Sequence, residues 1–280
     1  MHAEEQEPAG GRSRASAADS PRVGRVTLAY DDQGSGPAAI LLHSAVCDRR
    51  MWEPQWQLLQ DAGYRVIRCD FRGYGESPAP TEPFNAADDV IALLDHLGVQ
   101  SATVIGSSYG GRVAQEVAAR WPDRVSTLLL LCAATRLHPP TDAIRAFSER
   151  EDGLLEARDI DGATQLNVDT FVGPAASPET RAFVAEMQRR AFEIQIAADN
   201  DESAAGAGPV DHDFDLAAIT ARTTVVSGDL DVDYFQSIAD FLATSIPGAL
   251  RVELPWAGHL PTLEDPVRAN PLILQWLSPA

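Results

Sequence analysis

Ser108 stands at the centre of Gly106-Ser107-Ser108-Tyr109-Gly110, and its hydroxyl is the first candidate in the chain for covalent chemistry. A serine hydroxyl is a poor nucleophile at neutral pH. It attacks an electrophilic carbonyl only when a base removes its proton and a carboxylate steadies that base. Downstream, His259 supplies an imidazole, and Asp229, Asp231 and Asp233 compete to supply the carboxylate. Of the six histidines, only His43 and His259 fall just beyond predicted strands. His2 lies in the N-terminal tail and His96 in a predicted helix, while His138 and His212 flank a helical segment where a solvated role is expected. Two duller roles compete, a turn serine at 108 and a helix-capping histidine at 259; the flanking glycines weigh against the first.

The spacing G-x-S-x-G alone is weak, since a chain of this length shows it by chance about one time in ten. Its surroundings are more telling. Residues 102–105 form a short apolar run, the pattern of a strand covered on both faces. A helical stretch follows over 112–120 and stops at Trp121-Pro122. Strand, glycine turn and helix together lift a serine above a sheet edge in a strained backbone conformation. Gly106 and Gly110 lack the Cβ atoms that would collide where strand and helix cross.

Further strands are predicted over 24–31, 38–42, 65–69, 125–132, 223–227 and 250–254, with a turn at 33–37. Helices are predicted over 50–62, 86–97 and 234–245, and a closing helix ends near Trp276. This rhythm implies right-handed crossovers and an α/β architecture with a mostly parallel sheet. Parallel strands deliver their following loops to one edge, so residues distant in sequence can meet there.

The alternation breaks over 134–220. Helices are expected at 142–150 and 179–198, the second with Ser177 as N-cap and Pro178 at its first position. Phe183, Met187, Ala191 and Ile194 make a narrow apolar stripe on it. The loose acidic segment 199–215 contains Gly206-Ala207-Gly208, readable as a hinge or as a surface loop. The expected division is a disordered tail at 1–20, a core at 21–133 and 221–280, and a helical lid at 134–220. Phe183, Met187 and Trp256 are candidates for a pocket wall, with plain packing an equal alternative.

Composition excludes several classes. Twenty-two basic against 41 acidic residues give a formal charge of −19, which argues against a nucleic-acid partner. Every basic residue is Arg, so neither a Lys Schiff base nor a phosphate-binding loop with its Lys can form. Cys47, Cys69 and Cys132 are odd in number and widely spaced, which argues against disulfides and a cysteine-based metal site and for free thiols in a cytoplasmic protein. No apolar run is long enough for a membrane span, and the N-terminus lacks the apolar core of a secretory signal. A small-molecule substrate is the expected partner; oligomeric state is unreadable.

Taken together, Gly106 to Gly110 (GSSYG), Asp70 to Ser77 (DFRGYGES), Gly228 to Asp231 (GDLD) and Gly258 to Pro266 (GHLPTLEDP) resemble the α/β-hydrolase superfamily, over nearly the whole chain after the tail. The resemblance implies the α/β-hydrolase fold, with Ser108 as nucleophile, Asp231 as acid and His259 as base. It further implies an oxyanion hole from the backbone N–H groups of Ala45 and Tyr109, and a tight structural turn at Asp70 to Ser77. His43 is expected to be structural. One departure stands out: Ser44 occupies a position where the family often has glycine. The implied activity is cofactor-free, metal-free hydrolysis of a small or medium ester, lactone or thioester through an acyl-enzyme. Serine rather than aspartate at position 108 argues against the alkyl-enzyme branches of the superfamily. Carbon–carbon bond hydrolases, perhydrolases, lyases and non-turnover receptors on this fold are the alternatives.

Overall fold

A computed structural model describes residues 28–174, 176–200 and 206–278. The expected tail at 1–20 and the first four residues of the strand expected at 24–31 lie outside the described residues. Seven strands form one sheet: β1 (Tyr30–Gln33), β2 (Ala38–Leu42), β3 (Arg65–Cys69), β4 (Ala102–Ser107), β5 (Val125–Leu131), β6 (Arg222–Gly228) and β7 (Leu250–Leu254). Their order is β1-β3-β2-β4-β5-β6-β7. Only β1 runs antiparallel to its neighbour. Strands β2 and β4 are buried along their whole length, which explains their unbroken apolar sequences.

Strand β1 continues through Gln33 into the expected turn. The reason is electrostatic. Asp31, the last residue of the expected strand, and Asp32, just beyond it, face arginines on β3: Arg68 reaches Asp31 at 2.9 Å and Arg65 reaches Asp32 at 2.7 Å.

Helices α1 (Glu53–Asp61), α2 (Ala86–His96) and α3 (Tyr109–Arg120) lie between the first five strands. Helix α3 begins three residues earlier than expected, immediately after Ser108, and packs on β4 and β5. Between β5 and β6 come α4 (Asp142–Glu156), α5 (Ile160–Phe171) and α6 (Pro178–Asp199). Helix α5 escapes the sequence pattern because glycine and β-branched residues give it little intrinsic helicity. Asp159 nevertheless caps it through Gly162 N–H at 2.8 Å. On α6, Ser177 caps Thr180 N–H at 3.1 Å, as its position suggests. The buried face of α6 is Val184, Met187, Gln188, Ala191 and Phe192, turned from the expected stripe so that Phe183 and Ile194 sit at its margin.

Residues 208–210 are not loose. Gly208 O accepts from Phe84 N–H at 3.1 Å, and Val210 N–H donates back to Phe84 O at 2.6 Å. Helix α7 (Asp233–Ser245) then packs against β6, and the chain closes with α8 (Pro261–Glu264) and α9 (Pro266–Leu277). Among the described residues, no helix is long and apolar enough to cross a membrane.

Candidate active site

The turn at Ser108 is set by what its glycines cannot carry. A Cβ on Gly106 would lie 2.4 Å from Gly110 O, and one on Gly110 would lie 2.2 Å from Leu42 O. Strand β4, the start of α3 and the end of β2 therefore touch backbone to backbone. Ser108 takes up the resulting bend with φ 50° and ψ −113°, a left-handed conformation that a side chain resists. Its N–H donates to Leu131 O at 3.0 Å and its O accepts from Ala134 N–H at 2.9 Å, so the end of β5 and the loop after it hold the bend in place.

The same contacts bring the loop after β2 beside Ser108. Gly110 N–H donates to His43 O at 3.0 Å. His43 is fully buried; its Nε2 accepts from Phe71 N–H at 3.0 Å and its Nδ1–H donates to Ser44 O at 2.8 Å. Both contacts require a neutral ring, and burial accordingly pushes the imidazole below its usual range. His43 is a brace for this loop. The Asp70 to Ser77 turn is a second brace: Asp70 accepts from Arg49 N–H at 2.7 Å and from Glu76 N–H at 2.8 Å, while Ser77 Oγ–H donates to Asp70 O at 2.8 Å. The turn at Ser44 closes through Cys47 N–H to Ser44 O at 3.0 Å, which leaves the Ala45 N–H outside that bond. Tyr109 N–H opens α3, where helix geometry offers it no partner. The Ser44 hydroxyl is buried and unpartnered.

Of the three competing aspartates, Asp231 meets the histidine. His259 Nδ1 lies 2.7 Å from Asp231 Oδ2, with both side chains inaccessible to solvent. Asp231 Oδ1 accepts from Val232 N–H at 2.7 Å, and Gln236 Nε2 donates to the carbonyls of Asp229 and Asp231, so the carboxylate is aimed by its own loop. Asp229 is exposed, and Asp233 accepts from the Thr141 hydroxyl at 2.8 Å. An ionised carboxylate only accepts, so Nδ1 carries the ring proton and Nε2 keeps its lone pair. The rings of Phe235 and Phe171 wedge the imidazole, with centroids 4.1 and 5.1 Å away. Ser108 and His259 border one cavity of about 440 Å³, together with Ala45 and Tyr109. No hydrogen bond joins Ser108 to His259, a separation common before a substrate draws such groups together.

Glu264 is the residue that the sequence reading passed over. Its carboxylate accepts from Gly258 N–H at 2.7 Å, Leu260 N–H at 2.8 Å and Gly173 N–H at 3.0 Å. It grips the backbone on both sides of His259 and ties that loop to the corner after α5. Its place five residues after His259, inside the quoted GHLPTLEDP stretch, was the available signal. Cys132, at φ 44°, lies beside the pair, and the ligand atoms of Cys132, Asp231 and His259 fall within 4.8 Å of one another. Burial pushes this thiol well above its ordinary range, so it stays protonated and suits a metal poorly.

The three candidates for a pocket wall do not border this cavity, in keeping with their packing alternative. Trp256 packs under Arg268, Phe183 faces Arg50 in an outer cleft, and Met187 is buried in the core. The aromatic wall comes instead from Phe147, Phe171 and Phe192 of the helical insertion and from Phe235. His138 is not simply solvated: its Nε2 meets Ser237 Oγ at 3.1 Å, and its ring packs on Phe241.

Comparison with known proteins agrees with this fold. The chain is 31% identical to the putative carbamate hydrolase RutD of Variovorax paradoxus (strain S110) over 253 residues, which are 87% of this chain and 94% of that protein. A hydrolase from Pseudomonas aeruginosa PA01 superposes with a TM-score of 0.73 at 30% identity, covering 91% of this chain and 95% of that one. An epoxide hydrolase of Caballeronia sordidicola is 36% identical over only 104 residues, 35% of this chain and 32% of that protein. The family model for the alpha/beta hydrolase fold matches residues 37–266, and the chain belongs to that family.

Proposed function

We propose that this protein is a serine hydrolase that cleaves a small or medium ester, lactone or thioester through an acyl-enzyme on Ser108. The observation that carries the reading is the 2.7 Å contact from His259 Nδ1 to Asp231 Oδ2 beside the cavity that Ser108 enters on a strained turn. His259 Nε2 takes the Ser108 proton as Oγ bonds to the carbonyl carbon, and Asp231 stabilises the imidazolium. The developing oxyanion is held by the N–H groups of Ala45 and Tyr109, the second aided by the positive end of α3. Each such donor is worth about 3–4 kcal/mol of barrier by analogy. His259 returns its proton to the departing alkoxide or thiolate. It then activates a water that cleaves the acyl-serine, freeing the acid and restoring the hydroxyl. No cofactor takes part. The helical insertion closes this cavity from above and acts as its lid.

Labelling with a fluorophosphonate, followed by a panel of p-nitrophenyl esters and lactones, tests the proposal. The expected result is stoichiometric labelling and ester turnover, both lost in Ser108→Ala. Esterase activity at the wild-type level in that variant would overturn the assignment. An unlabelled protein that binds a ligand without converting it would place the chain among receptors instead.

A further inference from the structure

The insertion lines the cavity around Ser108 with polar side chains as well as with its aromatic rings. There Glu151 of α4 and Gln188 of α6 border the same space as Ser108 and His259. Asn167 Nδ2 donates to Glu151 Oε1 and to Ala163 O, which uses both of its amide hydrogens. The second oxygen of Glu151 accepts from no described residue. Gln188 is only 4% exposed, and its Oε1 has no partner. The second oxygen of Glu151 and the Oε1 of Gln188 leave acceptor capacity open on this wall. A buried acceptor without a donor costs on the order of 1–3 kcal/mol, which a ligand carrying that donor recovers.

Charge points the same way. Arg112 is the cation that borders the cavity, and it is already paired with Asp211 at 2.6 Å. Glu151 therefore meets no free positive charge, and burial raises its carboxyl above the usual range. The rings of Phe147 and Phe171, 4.8 Å apart, stand close by and offer faces that attract cations. An anionic group would meet the carboxylate unshielded.

We infer that Glu151 and Gln188 form a substrate subsite for a hydrogen-bond donor, best filled by a protonated amine, at the end of the substrate remote from the carbonyl attacked by Ser108. This rests on the reading of Ser108 as the nucleophile, and it selects cationic or hydroxylated acyl chains over dicarboxylic ones.

The test uses four p-nitrophenyl esters of one chain length: hexanoate, 6-hydroxyhexanoate, 6-aminohexanoate and the adipate monoester. The expected order of kcat/KM is amino, hydroxy, methyl, carboxylate, with about tenfold or more between the ends. Glu151→Gln keeps an acceptor for Asn167 and is expected to cut the amino-to-methyl ratio about tenfold. Gln188→Leu is expected to cut the hydroxy-to-methyl ratio. Glu149→Gln, the same charge change at an exposed position of α4, serves as control and is expected to leave both ratios unchanged. A panel without amino preference, or an amino-to-methyl ratio unmoved in Glu151→Gln, would overturn the subsite. Should no ester react, calorimetry on Ser108→Ala protein separates the two readings. Hexylammonium binding more tightly than hexanol and hexanoate, with that advantage lost on adding Glu151→Gln, upholds the subsite while the hydrolase reading fails. Equal or absent binding of the three ligands overturns it.

Discussion

The rim of the sheet and the helical insertion above it are built to different tolerances. At the rim, backbone meets backbone: a methyl group on Gly110 has no space beside Leu42 O, and one on Gly228 would lie 2.2 Å from Ala257 O. Helix α4 above it buries none of its residues, and its neighbour α5 leans on the core through one face. The difference divides the labour. Atoms that exchange protons must be held to fractions of an ångström, whereas a wall that selects among substrates needs only the right polarity and volume.

The comparison breaks most sharply at Ser108. Ser108→Ala is expected to lower kcat by about 10⁴-fold or more while leaving the urea unfolding midpoint close to that of the wild type. Retained activity would mean that the rim does not house the chemistry. Gly110→Ala comes next. With Leu42 O in the way and the whole turn buried, the loss should reach about 3 kcal/mol, read as a lower urea midpoint at unchanged slope. A well-folded Gly110→Ala protein would show that the rim has slack that the backbone contacts deny.

Glu264→Gln sharpens the contrast, because this residue belongs to both regions. An amide offers one acceptor where the carboxylate receives three N–H groups, so the loop carrying His259 should drift. Expected is a fall in kcat of about 10- to 100-fold, with KM moving far less and fluorophosphonate labelling slowed in parallel. The smallest effect concerns His43. In the unfolded chain its imidazole takes up a proton near pH 6.5, while in the folded protein burial keeps it neutral to lower pH. The unfolded state therefore binds more protons below about pH 6.5. Stability is full above that value and falls as the pH drops, by up to about 1.4 kcal/mol per pH unit. Urea midpoints between pH 7 and 5.5 should fall more steeply for the wild type than for His43→Gln.

How much of this was readable from the residues follows the same division. Strands β2, β3 and β7 lie where the pattern places them, because a continuous apolar run in β2 and the turns that bound all three leave little choice. The elbow glycines were legible for a related reason: only glycine permits such approach, so the sequence records the contact. Asp231 was harder, since three aspartates within five residues are equivalent to any local rule; the choice is made by Val232 N–H and by Gln236 from the next helix. Strand β1 runs on past Asp31 because its aspartates are neutralised by β3, a partner 33 residues away for the Asp32–Arg65 pair. The pocket wall was least legible. Helix α5 supplies Phe171 and Asn167 to it from a segment with poor helical propensity, stabilised chiefly by packing.

Glu264 sets a limit on how freely the insertion can be exchanged. Because its carboxylate clasps Gly173 as well as the flanks of His259, a foreign insertion grafted between β5 and β6 would bring its own corner to that clasp. A corner presenting no N–H at the site of Gly173 would leave the carboxylate one donor short and the His259 loop less firmly seated. Transplanting substrate preference between members of this fold therefore requires moving the corner and its acidic anchor as one unit.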